Sequence, residues 1–154
     1  MKVKTIVMTV AVCLIVGAVC FASDAQMGTW KLNEAKSKFA AGAPKNHTVV
    51  YEAAGDKVKV TVDGVDAAGK PSHNEWTGAF DGKDYPLVGD PSADMRSYKR
   101  INDNKLEITG KKDGKVTTSG TIEVSADGKT RTVSTTSTDA AGKKMKNTAV
   151  YDKQ

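Results

Sequence analysis

The sequence predicts an all-β protein, an antiparallel up-and-down meander of about 8–10 strands closed into a barrel. Three observations predict it. Short segments of alternating polarity recur roughly every dozen residues, turn residues punctuate them, and no segment carries a helical apolar period. The chain has 154 residues, which suits one domain and leaves no room for a second core. Its 14 glycines and 27% charged residues fit a globular chain rather than a disordered or collagen-like one.

The first segment stands apart from the barrel. Lys2 and Lys4 precede an uncharged run from Thr5 to Ser23, and small residues follow at Ala22, Ser23 and Ala25. This is the layout of a secretory signal peptide over 1–22, with cleavage after Ala22 or after Ala25, and a single barrel domain over 26–154. Two other fates are weaker. A retained anchor conflicts with the small residues at the end of the run, and a lipoprotein cut before Cys20 lacks the usual Leu and small residue in Gly17-Ala18-Val19. Both cysteines, Cys13 and Cys20, leave with the leader, so the mature chain is expected to have no disulfide, thiol nucleophile or cysteine metal site. Losing Lys2 and Lys4 takes the 23 Lys and Arg to 21 against 18 Asp and Glu, a net +3, or +4 if Asp24 leaves too. So mild a charge serves solubility. No nucleic-acid partner is expected, because no run of cations is longer than a pair such as Lys143-Lys144.

From Gly28 onward, strands are expected near 28–33, 46–53, 57–65, 71–80, 83–88, 95–101, 105–111, 115–126, 129–138 and 143–152. Asp81-Gly82 and Asp127-Gly128 read as two-residue hairpins, and the loops Asp66 to Lys70 and Asp139 to Lys143 as three-residue hairpins with a glycine bulge. At an offset of 73 residues, Thr48-Val49 matches Thr121-Ile122, Val60 matches Val133, Asp66 to Lys70 matches Asp139 to Lys143, and Asn74 matches Asn147. Copying a hairpin pair is the simplest explanation of matches that fall in phase with the turns, with self-alignment of an Asp-Gly-rich meander the alternative for the shorter ones.

Turn type fixes register. The loops set Val60 opposite Trp76, Trp76 opposite Leu87, Gly78 opposite Tyr85, Ile122 opposite Val133, and Arg131 between Val124 and Tyr151. One face then carries Val49, Tyr51, Val58, Val60, Trp76, Phe80, Leu87, Ile122, Val124, Val133, Ala149 and Tyr151. The other carries Lys57, Lys59, Thr61, Glu75, Thr77, Glu123, Thr132 and Thr148. Such a sheet must fold over its apolar side, most simply by closing into a barrel, the reverse of an outer-membrane barrel, so no membrane span is expected after signal cleavage.

The inner face is incompletely apolar. Asn74, Gly78, Thr118, Gly120, Thr135 and Asn147 join a buried Arg131, which leaves room for one small ligand or, alternatively, for ordered water in a modest core. Trp76, Tyr85, Arg131 and Tyr151 are the candidate ligand contacts. The face of 95–101 stays open, since Asn102-Asp103-Asn104 permits loops of either parity: one turns Lys99 inward, the other Arg96, Tyr98 and Arg100.

The opening Gly28-Thr29-Trp30, just after the leader, resembles that of lipocalins and related calycin barrels. The resemblance implies a lipocalin-like barrel in which Trp30 plugs one end and a basic residue on a late strand packs over it, with Arg131 the counterpart. Arg131 therefore has two readings, a structural clamp with Trp30 or an anchor for an anionic ligand group. The longer stretch Gly28-Thr29-Trp30-Lys31-Leu32-Asn33, with Lys36-Ser37-Lys38-Phe39 and the Asp-Gly-Lys turns, looks like a group of small exported bacterial proteins without an assigned activity. This implies a periplasmic or extracellular location.

Catalysis is not expected. His47 and His73 fall two strands apart on opposite faces, so neither a metal site nor a cofactor is expected. No Ser or Thr sits in a nucleophile setting, no phosphate-cradling loop precedes a helix, and the sequon at Asn46-His47-Thr48 reads as accidental beside a bacterial-type leader. Two functions remain: a carrier or sensor of a small amphiphilic or anionic ligand, and an envelope interaction module with a protein partner, such as an inhibitor of a secreted hydrolase. The intact mass of the exported protein tests the compartment. It is expected to begin at Ser23 or Gln26, and a diacylated Cys20 or retained Met1 would overturn the reading.

Overall fold

A computed structural model describes residues 24–139 and 141–154. The expected signal peptide and both cysteines lie outside the described residues. Ten strands follow one another: β1 (Gly28–Leu32), β2 (Lys45–Ala54), β3 (Lys57–Val65), β4 (Pro71–Gly78), β5 (Tyr85–Val88), β6 (Met95–Asn102), β7 (Lys105–Lys112), β8 (Lys115–Val124), β9 (Thr130–Thr138) and β10 (Lys144–Lys153). Each pairs antiparallel with its neighbour in sequence, and β10 returns to β1 to close the barrel. A short 3-10 turn, Glu34–Lys36, interrupts the β1–β2 connection. Among the described residues no helix is long and apolar enough to cross a membrane.

The alternation does what its period demands. Val60 lies opposite Trp76, Trp76 opposite Leu87, Ile122 opposite Val133, and Arg131 between Val124 and Tyr151. The twelve expected inner residues are buried or half-buried, whereas Thr77 and Glu123 on the other face are exposed. The 73-residue repeat is also visible, because β3 maps end to end onto β9. Its two loops are built alike. Asp66 N donates to Lys70 O at 2.9 Å and Asp139 N to Lys143 O at 3.0 Å, and each aspartate carboxylate accepts backbone N–H groups two and four residues on.

Two expected hairpins take other forms. Residues 80–82 pair with β6 rather than β5: Asp81 bridges Lys99, and Gly82 N donates to Tyr98 O at 2.9 Å. Phe80 is held inward there, stacked on Trp76, while the Asp81 carboxylate accepts from Lys83 N and Tyr85 Oη, both at 3.0 Å. At the second site, Ser125 N donates to Thr130 O, and the Asp127 side chain organises a four-residue loop by accepting from Ser125 Oγ and Lys129 N. Both forms keep the parity of a two-residue turn, so the faces are unchanged. The type I′ backbone appears instead at Asp113-Gly114, where φ is +49° and +75°.

One end of the barrel is sealed. Trp30 is fully buried, and its indole N–H donates to Gln26 O at 2.8 Å. Gln26 is itself buried and reaches Asn104 O at 3.3 Å, so residues 24–27 tuck beneath the strands. Asp24 pairs with Arg100, whose guanidinium lies 5.2 Å from the Phe80 ring centroid. Above this plug sits an aromatic cluster in which Trp76 stacks on Phe80 and meets Tyr85 and Tyr98 edge-on, at 5.7 and 4.7 Å between centroids. Gly78 makes the cluster possible, since a Cβ there would come within 2.5 Å of the Trp76 ring and 2.6 Å of Tyr85. Trp76 is 1% exposed. Trp76→Ala should therefore destabilise the fold by about 3–5 kcal/mol in denaturant melts, and melts that overlay the parent would mean the cluster contributes no packing energy.

Candidate functional site

Above the aromatic cluster the barrel is not filled. A cavity of about 560 Å³ extends to a mouth formed by loop residues that include Pro44, Ala67, Ala68, Pro91 and Ser92. Its walls alternate apolar groups (Val49, Val62, Ile108, Val133) with short polar ones (Asn74, Thr118, Thr135, Asn147), and Phe39 and Met145 stand near the opening. β9 runs from Arg131 to Thr138 at the rim, roughly 20 Å of strand.

Arg131 is the group that needs explaining. It points inward because the Asp139 loop sets its register against Tyr151, and it is 3% exposed. Its Nη2 donates to Tyr51 Oη at 2.5 Å, and its guanidinium lies 4.9 and 5.4 Å from the ring centroids of Tyr51 and Tyr151. Nε and Nη1 have no hydrogen-bond partner, and among the described residues no carboxylate pairs with it. A buried guanidinium left this way costs several kcal/mol. Two tyrosines frame it. Burial pushes the Tyr151 phenol up to about 12 against the opposing pull of Arg131, and burial likewise holds Tyr51 above the ordinary phenol range. Both hydroxyls thus stay protonated at neutral pH, and the Tyr51 O–H can donate a hydrogen bond to a further acceptor while its oxygen accepts from Arg131.

A second cation enters from β6. Arg96 and Tyr98 face the cavity and Lys99 is exposed, which settles the open parity. Arg96 differs from Arg131 in having partners: Nη2 donates to Asp90 Oδ2 at 3.3 Å and Nη1 to Asn74 Oδ1 at 3.4 Å.

The expected site residues divide. Arg131 and Tyr151 line the cavity, but Trp76 and Tyr85 do not; they belong to the aromatic floor, where Trp76 Nε1 donates to Arg96 O at 2.9 Å and Tyr85 Oη to Asp81. The clamp is also different. The cation over Trp30 is Lys153, with Nζ 5.1 Å from the ring, because β10 ends opposite Trp30 whereas Arg131 lies one strand further round. The sequence reading missed Tyr51 as an Arg131 partner and Asp90 altogether. Tyr51 was legible from its inner-face position; Asp90 lies in a loop with no periodicity to place it.

The histidines do not converge. A bulge between Asn46 and Thr48 leaves His47 exposed and turns Asn46 to the cavity, so the strict alternation expected through residue 47 fails. His73 lies outside, 2.7 Å from Asp63, and that hydrogen bond raises its pKa. Among the described residues no group of His, Cys, Asp and Glu is arranged to hold a metal ion.

The fold and site together define an up-and-down β-barrel with a one-mouthed internal cavity and a buried cation in its wall. Among solved structures the chain is similar to a redesigned β-barrel, mFAP1, described as bound to DFHBI, with 14% identity and a TM-score of 0.47 over 85% of this chain and 99% of that one. No family model matches the sequence, and no curated protein matches it. Arg131→Met provides a test of what the guanidinium does for the fold. In the absence of ligand its melting temperature should equal or exceed that of the parent, since an apolar replacement for an uncompensated buried charge removes a desolvation cost. A clear loss of stability would mean that Arg131 serves the fold.

Proposed function

We propose that this is an exported bacterial barrel that carries or senses a small amphiphilic or anionic molecule in its interior, and that its role is binding rather than catalysis. One observation carries the reading: Arg131 has two unpartnered donors in the wall of a 560 Å³ cavity whose other surfaces are largely apolar. A carboxylate or similar anionic group would accept from those donors and from the Tyr51 hydroxyl, and so offset the cost of burying the charge. An apolar body would lie against Val49, Val62 and Ile108 and leave towards Phe39 and Met145. The cavity favours this over an envelope module that inhibits a secreted hydrolase, which would suit a barrel filled by its own side chains.

Dye displacement tests the proposal. N-phenyl-1-naphthylamine, a neutral apolar fluorophore, should bind the wild type and be displaced by dodecanoate. Arg131→Gln should keep the barrel by circular dichroism and still bind the dye, but weaken dodecanoate by at least roughly tenfold, the worth of one charge-assisted hydrogen bond. Unchanged dodecanoate binding, or an unfolded variant, would make Arg131 a structural contact for Tyr51 and Tyr151.

A further inference from the structure

The charges that line the cavity are few enough to account for one by one. They are Arg131, Arg96, Asp90, Asp66 and Asp139. Asp66 and Asp139 belong to the rim, where each carboxylate accepts two backbone N–H groups of its own turn. Asp90 differs. It stands 3.3 Å from Arg96, and the two side chains are only 18% and 14% exposed, so this is a pair largely withdrawn from water. Asp90 is held for the task, because the same carboxylate accepts from Ser92 N at 2.9 Å and Ser92 Oγ at 2.6 Å. Arg96 is held as well, by Asn74.

The two arginines are therefore unequal. Arg96 is neutralised within hydrogen-bond distance, while Arg131 is not. Below the rim the described residues leave one uncompensated positive charge. In a cavity of low polarity an incoming group must match that count, since a second negative charge would meet the Arg96–Asp90 pair and either stay unpaired or displace Asp90.

We propose that Asp90 is a specificity-determining residue: by occupying Arg96 it makes the cavity a monoanion site, with the negative group seated at Arg131 and Tyr51. This rests on the anion-binding reading above and adds to it the charge of the ligand and the residue that sets it. Removing the Asp90 charge frees Arg96, and the same cavity then accommodates a dianion with one group at each arginine.

The test compares dodecanoate with dodecanedioate as displacers of N-phenyl-1-naphthylamine, on the whole mature protein at neutral pH. The wild type should prefer dodecanoate by at least roughly tenfold, the least that one desolvated unpaired charge costs. Asp90→Asn should lower that preference by at least roughly tenfold or reverse it. The double variant Asp90→Asn with Arg96→Met should restore the preference of the wild type, which separates a charge effect from a damaged loop. A wild type that prefers dodecanedioate overturns the inference, as does an Asp90→Asn variant whose ratio is unchanged; should that variant not fold, Asp90→Ser is read in its place by the same two criteria. If the wild type binds the dye but neither acid displaces it, the anion-binding reading fails first and the inference falls with it.

Discussion

The seam between β1 and β10 gives the molecule an inside. Trp30 opposite Lys153 and Leu32 opposite Tyr151, with Gln154 N donating to Thr29 O, convert an open sheet with two unpaired edges into a ring. Without that seam the apolar face would lie against water and the edge strands would be free to pair with other chains. With it, Arg131 and Tyr151, already paired across β9 and β10, are enclosed by a continuous wall, and Trp30, bonded to Gln26, stops one end. A closed ring of ten strands is also wider than this chain's side chains can fill. The sealed end and the cavity follow from the same closure.

The interior is divided by what each level holds. The lower part contains the aromatic cluster around Trp76, with Val58 and Val60 among the buried residues, and large side chains there interdigitate as in any close-packed core. The upper part is lined by threonines, asparagines and valines too short to meet across the ring. Packing energy is therefore concentrated at one end and chemical specificity at the other. Lys153 over Trp30 belongs to the first, and Arg131 with its tyrosines to the second. The two aspartate loops both line the mouth, each closed by the same pair of backbone and carboxylate hydrogen bonds.

Much of this was legible from the residues. A period of two survives every loop whose length preserves parity, which is why Trp76, Arg131 and Tyr151 could be given partners and an inward direction even though two of the turns take other forms. The limits of legibility were bulges. A register shift between Arg100 and Asn102 adds one residue to β6, so Tyr98 rather than Lys99 faces Ile108 across the inner face. A second shift at Asn46/Thr48 does the same around His47. A single inserted residue reverses every side chain beyond it, and no composition signal marks where it falls.

The sequence by itself determined an antiparallel meander of about 8–10 strands, which face is apolar, and that Arg131 would be buried without a carboxylate on its own face. Those properties depend on local alternation and turn parity, which act over a few residues. Tertiary structure alone decided that Lys153 and not Arg131 covers Trp30, that Trp76 and Tyr85 form the floor rather than the wall, and that Asp90 reaches Arg96 from a loop. The first two are matters of the height to which closure and shear of the ring bring a side chain, whereas the third lies within six residues, in a loop without a period to read. Height in a barrel is set by all the strands together, so no single segment encodes it.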